Sequence, residues 1–198
     1  MTAVMGCAIT FHDRIGRDRL AAAVEPVIVE DALALLEAAV ADTTRLGLNG
    51  QVCEVEVSLV ADAEMTRLNF DHMGERGPTD VLSFPLHTWV VEDGVSALAD
   101  DDISPPGVLL LGDVVLDVDQ AVRQAAGGEW SVLEELVLLA VHGTLHLLGH
   151  DHADLEEEQA MRALEHQVMT GLHRRHHEVA WSPGSLFDRG GHAVQSGV

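Results

Sequence analysis

The chain has 198 residues, 47% of them apolar, which is enough for one domain with a buried core. Its longest apolar stretch, around Val132 to Leu148, is broken by Glu134, Glu135 and two histidines, so no segment reads as a membrane span. The net charge is −22, from 33 acidic residues against 11 basic ones that are all Arg, and this argues against tight binding of naked RNA through a broadly basic surface.

Met1 to Thr10 is mildly apolar but has no basic n-region, which speaks against a signal peptide and for a cytoplasmic protein. Residues 3–11 read as a first strand, and His12 to Arg19 as a loose polar connection. From Val29 to Leu46, Leu33, Leu36 and Val40 recur at helical spacing, with Glu30, Asp31 and Glu37 on other faces. That is the pattern of a core-facing helix. Asn49-Gly50 is a turn signal. Cys53, Val55, Val57 and Leu59 then alternate with Glu54, Glu56 and Ser58, the period of a half-buried strand. Cys7 and Cys53 are the only cysteines, and Cys53 reads as a small core residue rather than half of a bridge.

Ala61 to Phe70 forms a short helix with Asp62 as its N-cap, Asp71 to Pro78 a loop, and Asp80 to Phe84 a strand that ends at Pro85. Trp89 to Pro106 is acidic and turn-prone, a surface loop long enough to serve as a flap beside a cleft. Val108 to Leu116 is a strand. Asp117 or Asp119 caps the helix that follows through Gln124, and Gly127-Gly128 ends it.

The stretch from Val132 to Val141 has no Gly or Pro and consists of strong helix formers; continued through Leu148 it is a helix. Four residues advance about 400°, so His142 and His146 stack on one face, one turn apart, close enough to share a metal. Gly149 sits where a helix ends most cheaply, because the residue past the last turn often needs positive φ. The chain can turn back there and bring a third imidazole, His152, to the same ion, with His150 as the alternative. Three imidazoles leave the fourth position of a tetrahedral Zn²⁺ open, the arrangement of a catalytic zinc. The expectation is one zinc ion per chain on His142, His146 and His152, in a zinc-dependent hydrolase. The same ligand spacing occurs in metzincin proteases, which place a Glu directly after the first His as general base. Here that position is Gly143, and the protease reading loses its base.

After His152, Asp154 caps a last helix whose first turn holds Glu156, Glu157 and Glu158. Met161, Leu164, Val168 and Leu172 recur along it at core spacing. Beyond Arg174 the sequence turns Gly-, His- and Ser-rich and aperiodic, so residues 1–177 read as a single domain and 178–198 as a disordered tail. The order of elements predicts an α+β fold: a small mixed β-sheet packed against helices, with the zinc-ligand helix central.

At these residues the sequence resembles a known family. His-Gly-x-Leu-His-Leu-x-Gly-x-Asp-His, from His142 to His152, is similar to the zinc motif of the YbeY endoribonucleases, bacterial rRNA maturation factors. Gly77-Pro78-Thr79-Asp80-Val81-Leu82-Ser83-Phe84-Pro85 and Leu111-Gly112-Asp113-Val114-Val115-Leu116-Asp117 agree with it too, in the family's order. The resemblance spans roughly residues 50 to 170. It implies a single-strand-specific endoribonuclease acting in 16S rRNA maturation and ribosome quality control, with single-stranded RNA and the ribosome or its small subunit as partners. The rivals are a non-catalytic ribosome-assembly factor with structural zinc and a metalloprotease-like hydrolase. In the family, the loop before the Gly-Pro-Thr-Asp stretch carries an Arg that faces the substrate cleft. Aligned without a gap, Met73 stands at that position, and Arg76, three residues on, is the candidate for substrate binding. Asp151 and His150 are candidate proton-transfer groups, Asp151 could equally orient a ligand His, and Asp113 reads as structural.

Overall fold

Alternating apolar side chains give the central strands two buried faces, and those faces sort the helices. The computed structural model describes residues 6–48, 51–92, 95–99, 107–128 and 130–181. In chain order these form β1 (Cys7–Asp13), α1 (Arg17–Val24), α2 (Val29–Gly47), β2 (Cys53–Val60), α3 (Asp62–Met73) and β3 (Val81–Pro85). There follow β4 (Trp89–Glu92), β5 (Val95–Leu98), β6 (Leu109–Asp117), α4 (Val118–Ala126), α5 (Val132–Leu147) and α6 (Leu155–Arg175). The main sheet has the order β1-β2-β6-β3, with β1, β2 and β6 parallel and β3 antiparallel to β6. β4 and β5 make a separate antiparallel pair. The expected α+β architecture, a small mixed sheet on helices, is what the chain adopts.

Val55, Val57 and Leu59 of β2 and Val114 and Leu116 of β6 face the main core with α2 and α5. Their sequence neighbours Val60 and Val115 point the other way, where with Leu82 they pack against Met65, Leu68 and Met73 of α3. β2 is therefore half-buried only at its start; Ser58, Leu59 and Val60 are all buried because α3 covers the outer face there. α5 is enclosed almost all round, every residue from Leu133 to Leu145 being buried.

Several local expectations change. β1 starts at Cys7 and continues through His12 and Asp13, which lie opposite Ser58 and Leu59; residues 3–5 lie outside the described residues. The connection expected to be loose contains α1, anchored by Leu20 and Val24 alone, too few apolar residues to announce a period. Asp62 is not a cap: Ala61 holds that position, and Asp62 pairs with Arg123 at 2.6 Å. Of the two candidate caps for α4, Asp117 is the one used, accepting from the N–H groups of Asp119 at 2.9 Å and Gln120 at 3.2 Å. The acidic stretch from Trp89 is not simply a surface loop, since β4 and β5 form a hairpin whose Ser96 is buried; residues 93, 94 and 100–106 lie outside the described residues, as do Asn49-Gly50. Cys7 and Cys53 are buried register partners and carry free thiols. At the far end Trp181 is buried and its Nε1 donates to the carbonyl of His176 at 3.3 Å, so core packing reaches past residue 178; residues 182–198 lie outside the described residues.

The cap on α4 has a pH signature. Burial, with the Asp62 carboxylate beside it, pushes the Asp117 carboxyl up to about 7. Between the ordinary carboxylate range and that value the native chain holds a proton that the unfolded chain has released, so stability from this group is full at low pH and is lost as pH rises through 7. Asp117→Asn keeps an oxygen for the cap and removes the titration. Urea unfolding at pH 5 and pH 8 is expected to show a smaller loss of stability for the variant than for the parent chain, and an equal loss in both refutes the assignment.

Candidate metal centre

The helix that carries the cluster is fixed at both ends by its own sequence. At the start, Ser131 Oγ accepts from the Glu134 N–H at 3.2 Å while Glu134 Oε2 accepts from the Ser131 N–H at 2.6 Å, a reciprocal capping box. At the end, the Gly149 N–H donates to the His146 carbonyl at 3.0 Å and the His150 N–H to the Leu145 carbonyl at 3.1 Å. This closure needs a left-handed residue, and Gly149 supplies it with φ 83°. The chain reverses there and returns His152 to the helix face it has just left.

Gly143 sets the rotation of that helix. A Cβ at this position would lie 2.7 Å from Val114 Cγ1, 3.0 Å from Val81 Cγ2 and 3.1 Å from Ser83 Oγ, so the backbone of α5 rests directly on β3 and β6. Ser83 Oγ donates to the Gly143 carbonyl at 3.0 Å and holds the contact. The glutamate that follows the first histidine in metzincin proteases has no room here. What the sequence showed as an absent base is also a packing requirement.

The structure brings His142, His146 and His152 together. One ligand-capable nitrogen from each lies within 4.8 Å of the others, and His142 Nε2 and His146 Nε2 are 3.1 Å apart. Ring centroids are separated by 4.7 Å (142 to 146), 5.5 Å (142 to 152) and 5.2 Å (146 to 152). His150 is not part of the group: its ring is buried and its Nε2 lies 3.1 Å from Ser96 Oγ on the hairpin. Burial lowers the His150 pKa. For His146, burial and then the neighbouring imidazoles hold the pKa down at about 3, so the ring is neutral and offers a lone pair at physiological pH.

Other side chains hold this arrangement. Glu165 of α6, buried on an apolar stripe with Met161, Val168 and Met169, has Oε1 2.7 Å from His142 Nδ1. The Asp151 carboxylate accepts from the His152 N–H at 2.8 Å, and Asp154 caps α6 through the N–H groups of Glu156 and Glu157, both at 2.9 Å. Asp80, from the Gly-Pro-Thr-Asp stretch, is fully buried; its carboxylate accepts from the Val81 N–H at 2.9 Å and from Gln124 Nε2 at 2.8 Å. Burial raises the Asp80 pKa against the pull of these bonds and of nearby His142. Asp113 lies away from the cluster, on the open face of the sheet with Glu54 and Glu56. Met73 is turned into the packing under α3, whereas Arg76 is exposed.

Sequence reasoning missed Glu165. Its signal was present: a carboxylate four residues after Met161 and three before Val168, in the middle of the stripe that faces the core. Surrounded by other glutamates in the sequence, it did not stand out.

The donor set suits a metal ion. Tetrahedral zinc with bonds of about 2.0–2.1 Å places its nitrogen ligands roughly 3.3 Å apart, close to the spacing of His142 and His146. Among the described residues no fourth ligating side chain joins the three, which leaves a position for water or substrate.

Comparison with known proteins gives a consistent picture. The family model described as Endoribonuclease YbeY matches residues 25–173. The Endoribonuclease YbeY of Salinispora tropica is 44% identical over 124 residues, covering 63% of this chain and 76% of that protein. The protein of the same name from Desulfitobacterium hafniense is 40% identical over 143 residues, covering 70% and 83%. That from Thermobifida fusca is 39% identical over 145 residues, covering 73% and 86%.

Gly143→Glu tests whether the protease-like base can be restored. Overpacking against Val114 and Val81, together with a buried carboxylate, is expected to lower stability by about 3 kcal/mol or more without creating casein hydrolysis. A stable variant that cleaves casein contradicts the packing argument.

Proposed function

Since the chain belongs to the YbeY endoribonuclease family, we propose that it is a zinc-dependent endoribonuclease that cuts single-stranded RNA, in 16S rRNA maturation and ribosome quality control. The observation that carries this reading is the convergence of three imidazoles, His142, His146 and His152, around a point with no fourth protein ligand among the described residues. A closed four-ligand shell would suit a purely structural ion; an open one suits catalysis. This weighs against the non-catalytic assembly factor, as the packing of Gly143 weighs against the protease.

A zinc ion bound here supplies Lewis acidity, polarising a phosphoryl oxygen and acidifying water near neutral pH. The protein's own part is to bring the three rings together at one point. His146 is held neutral by burial. His152 is half-buried. His150 is committed to Ser96, which removes it as a proton-transfer group at the cluster.

Charge directs the approach of RNA. A cavity of about 530 Å³ beside Gly149 and His150 is lined by Asp151, Asp154, Glu156 and Glu157, so phosphate is repelled on that side. Nearly every arginine is neutralised by a carboxylate; among the described residues only Arg76 and Arg174 have no ion pair. Arg76 sits on the loop that leads into Asp80, whose carboxyl lies near enough to His142 to be influenced by it. We assign Arg76 the phosphate contact that the family's loop arginine implies, with the ribosome's small subunit as the setting and the cytoplasm as the compartment. No helix among the described residues is long and apolar enough to cross a membrane.

The zinc-loaded protein is expected to cleave single-stranded RNA and to leave duplex RNA and casein intact, with His146→Ala folded by circular dichroism but inactive. Cleavage of casein but not RNA overturns the proposal. The acidic body sets a second expectation. Because a net charge of −22 repels the substrate, kcat/KM on a short single strand is expected to rise between 50 and 200 mM NaCl, opposite to an enzyme with a basic binding face. A steep fall over that range would mean that a basic surface dominates binding.

A further inference from the structure

We infer that Glu165 is the positioning residue of the cluster: its carboxylate fixes the tautomer and rotation of His142 so that Nε2, not Nδ1, faces the metal position. The inference rests on the zinc reading and deepens it. Glu165 Oε1 lies 2.7 Å from His142 Nδ1, and the two side chains are 8% and 4% exposed. At that distance and depth the contact is a hydrogen bond shielded from water. A carboxylate only accepts, so the ring proton of this bond lies on Nδ1, which leaves Nε2 as the nitrogen turned toward the cluster. Nε2 is the atom that stands 3.1 Å from His146 Nε2, on the side where the cluster converges.

The cost of placing Glu165 there argues for a role beyond packing. Met161, Val168, Met169 and Leu172 fill the same face of α6 against the core, and an apolar side chain at position 165 would continue that stripe. A buried carboxylate is costly to desolvate and is kept only where a partner satisfies it. Here the partner is the first histidine of the cluster, and the bond crosses from α6 to α5. With a metal held by His142 Nε2, the hydrogen bond from Nδ1 to Glu165 would strengthen the ring as a donor. Asp151, the candidate from sequence for this task, spends its carboxylate on the backbone N–H of His152 instead.

The full chain, stripped of metal and labelled with ¹⁵N, tests this through the imidazole resonances at neutral pH. His142 is expected as the Nδ1–H tautomer in the parent protein, and Glu165→Leu is expected to lose that preference. Zinc affinity, measured by competition with a chromogenic chelator, is expected to fall about 10–100-fold in Glu165→Leu, with Glu165→Gln, which keeps an acceptor oxygen, recovering part of the loss. A role in packing alone would lower the thermal midpoint and leave tautomer and affinity unchanged; that result overturns the inference. If Glu165→Leu does not fold, the metal-free parent still decides, because a His142 proton found on Nε2 excludes the assignment. Failure of the parent to bind zinc at all would sink the zinc reading, while the tautomer remains readable in the same sample.

Discussion

Everything at the cluster depends on how closely α5 lies on the sheet. Position 143 has no room for a Cβ against Val114 and Val81, so the helix settles with that residue facing β3 and β6. A residue on an α-helix turns about 100° from its neighbour, which swings His142 off the sheet, and His146, one turn on, lies on the same flank. That flank faces α6 and the returning loop. A side chain at 143 would force the helix away or rotate it, and either movement would carry both imidazoles out of register with His152. The glycine therefore acts in the site without touching a ligand.

The charge distribution explains how so acidic a chain keeps a nucleic acid as substrate. Its arginines are spent on its own carboxylates: Arg123 holds Asp62 across α4 and α3, and Arg14 reaches Glu64. Exposed pairs of this kind contribute little stability each. Their larger effect is to leave little unpaired positive charge among the described residues. Among the described residues positive charge outside these pairs is then limited to Arg76 and Arg174.

What could be read from the sequence was whatever repeats or reports on a single position. The period of α2, the alternation at the start of β2 and the 142–146–152 spacing all concern residues close together in the chain; α2 forms, the alternation holds from Cys53 to Val57 before Ser58 is buried as well, and the three histidines converge. The α+β layout followed from the order of those elements. What escaped notice depends on contacts between distant segments. Glu165 meets His142 across 23 positions, and Ser96 meets His150 across 54; neither pairing leaves a periodic trace. α1 was hidden because two buried residues cannot define a period, and the hairpin at Trp89 because its acidic surroundings resemble a loop. Met73 shows the other limit. Alignment placed it where the family has an arginine, and only the packing under α3 shows that the side chain serves the core.

The third histidine of the cluster illustrates why a short, tied loop serves better than a long one. Between Leu147 and His152 only four residues intervene, and three of them are fixed. Gly149 is held by the helix carbonyls and lies against Trp89, His150 is bonded to Ser96, and Asp151 turns its carboxylate onto the next N–H. The entropy of ordering the loop that carries His152 is therefore largely lost when the domain folds. β4 and β5 contribute most to this, since both Trp89 and Ser96 come from the hairpin. A segment that resembles a surface flap in the sequence is thus a brace for the loop that carries His152.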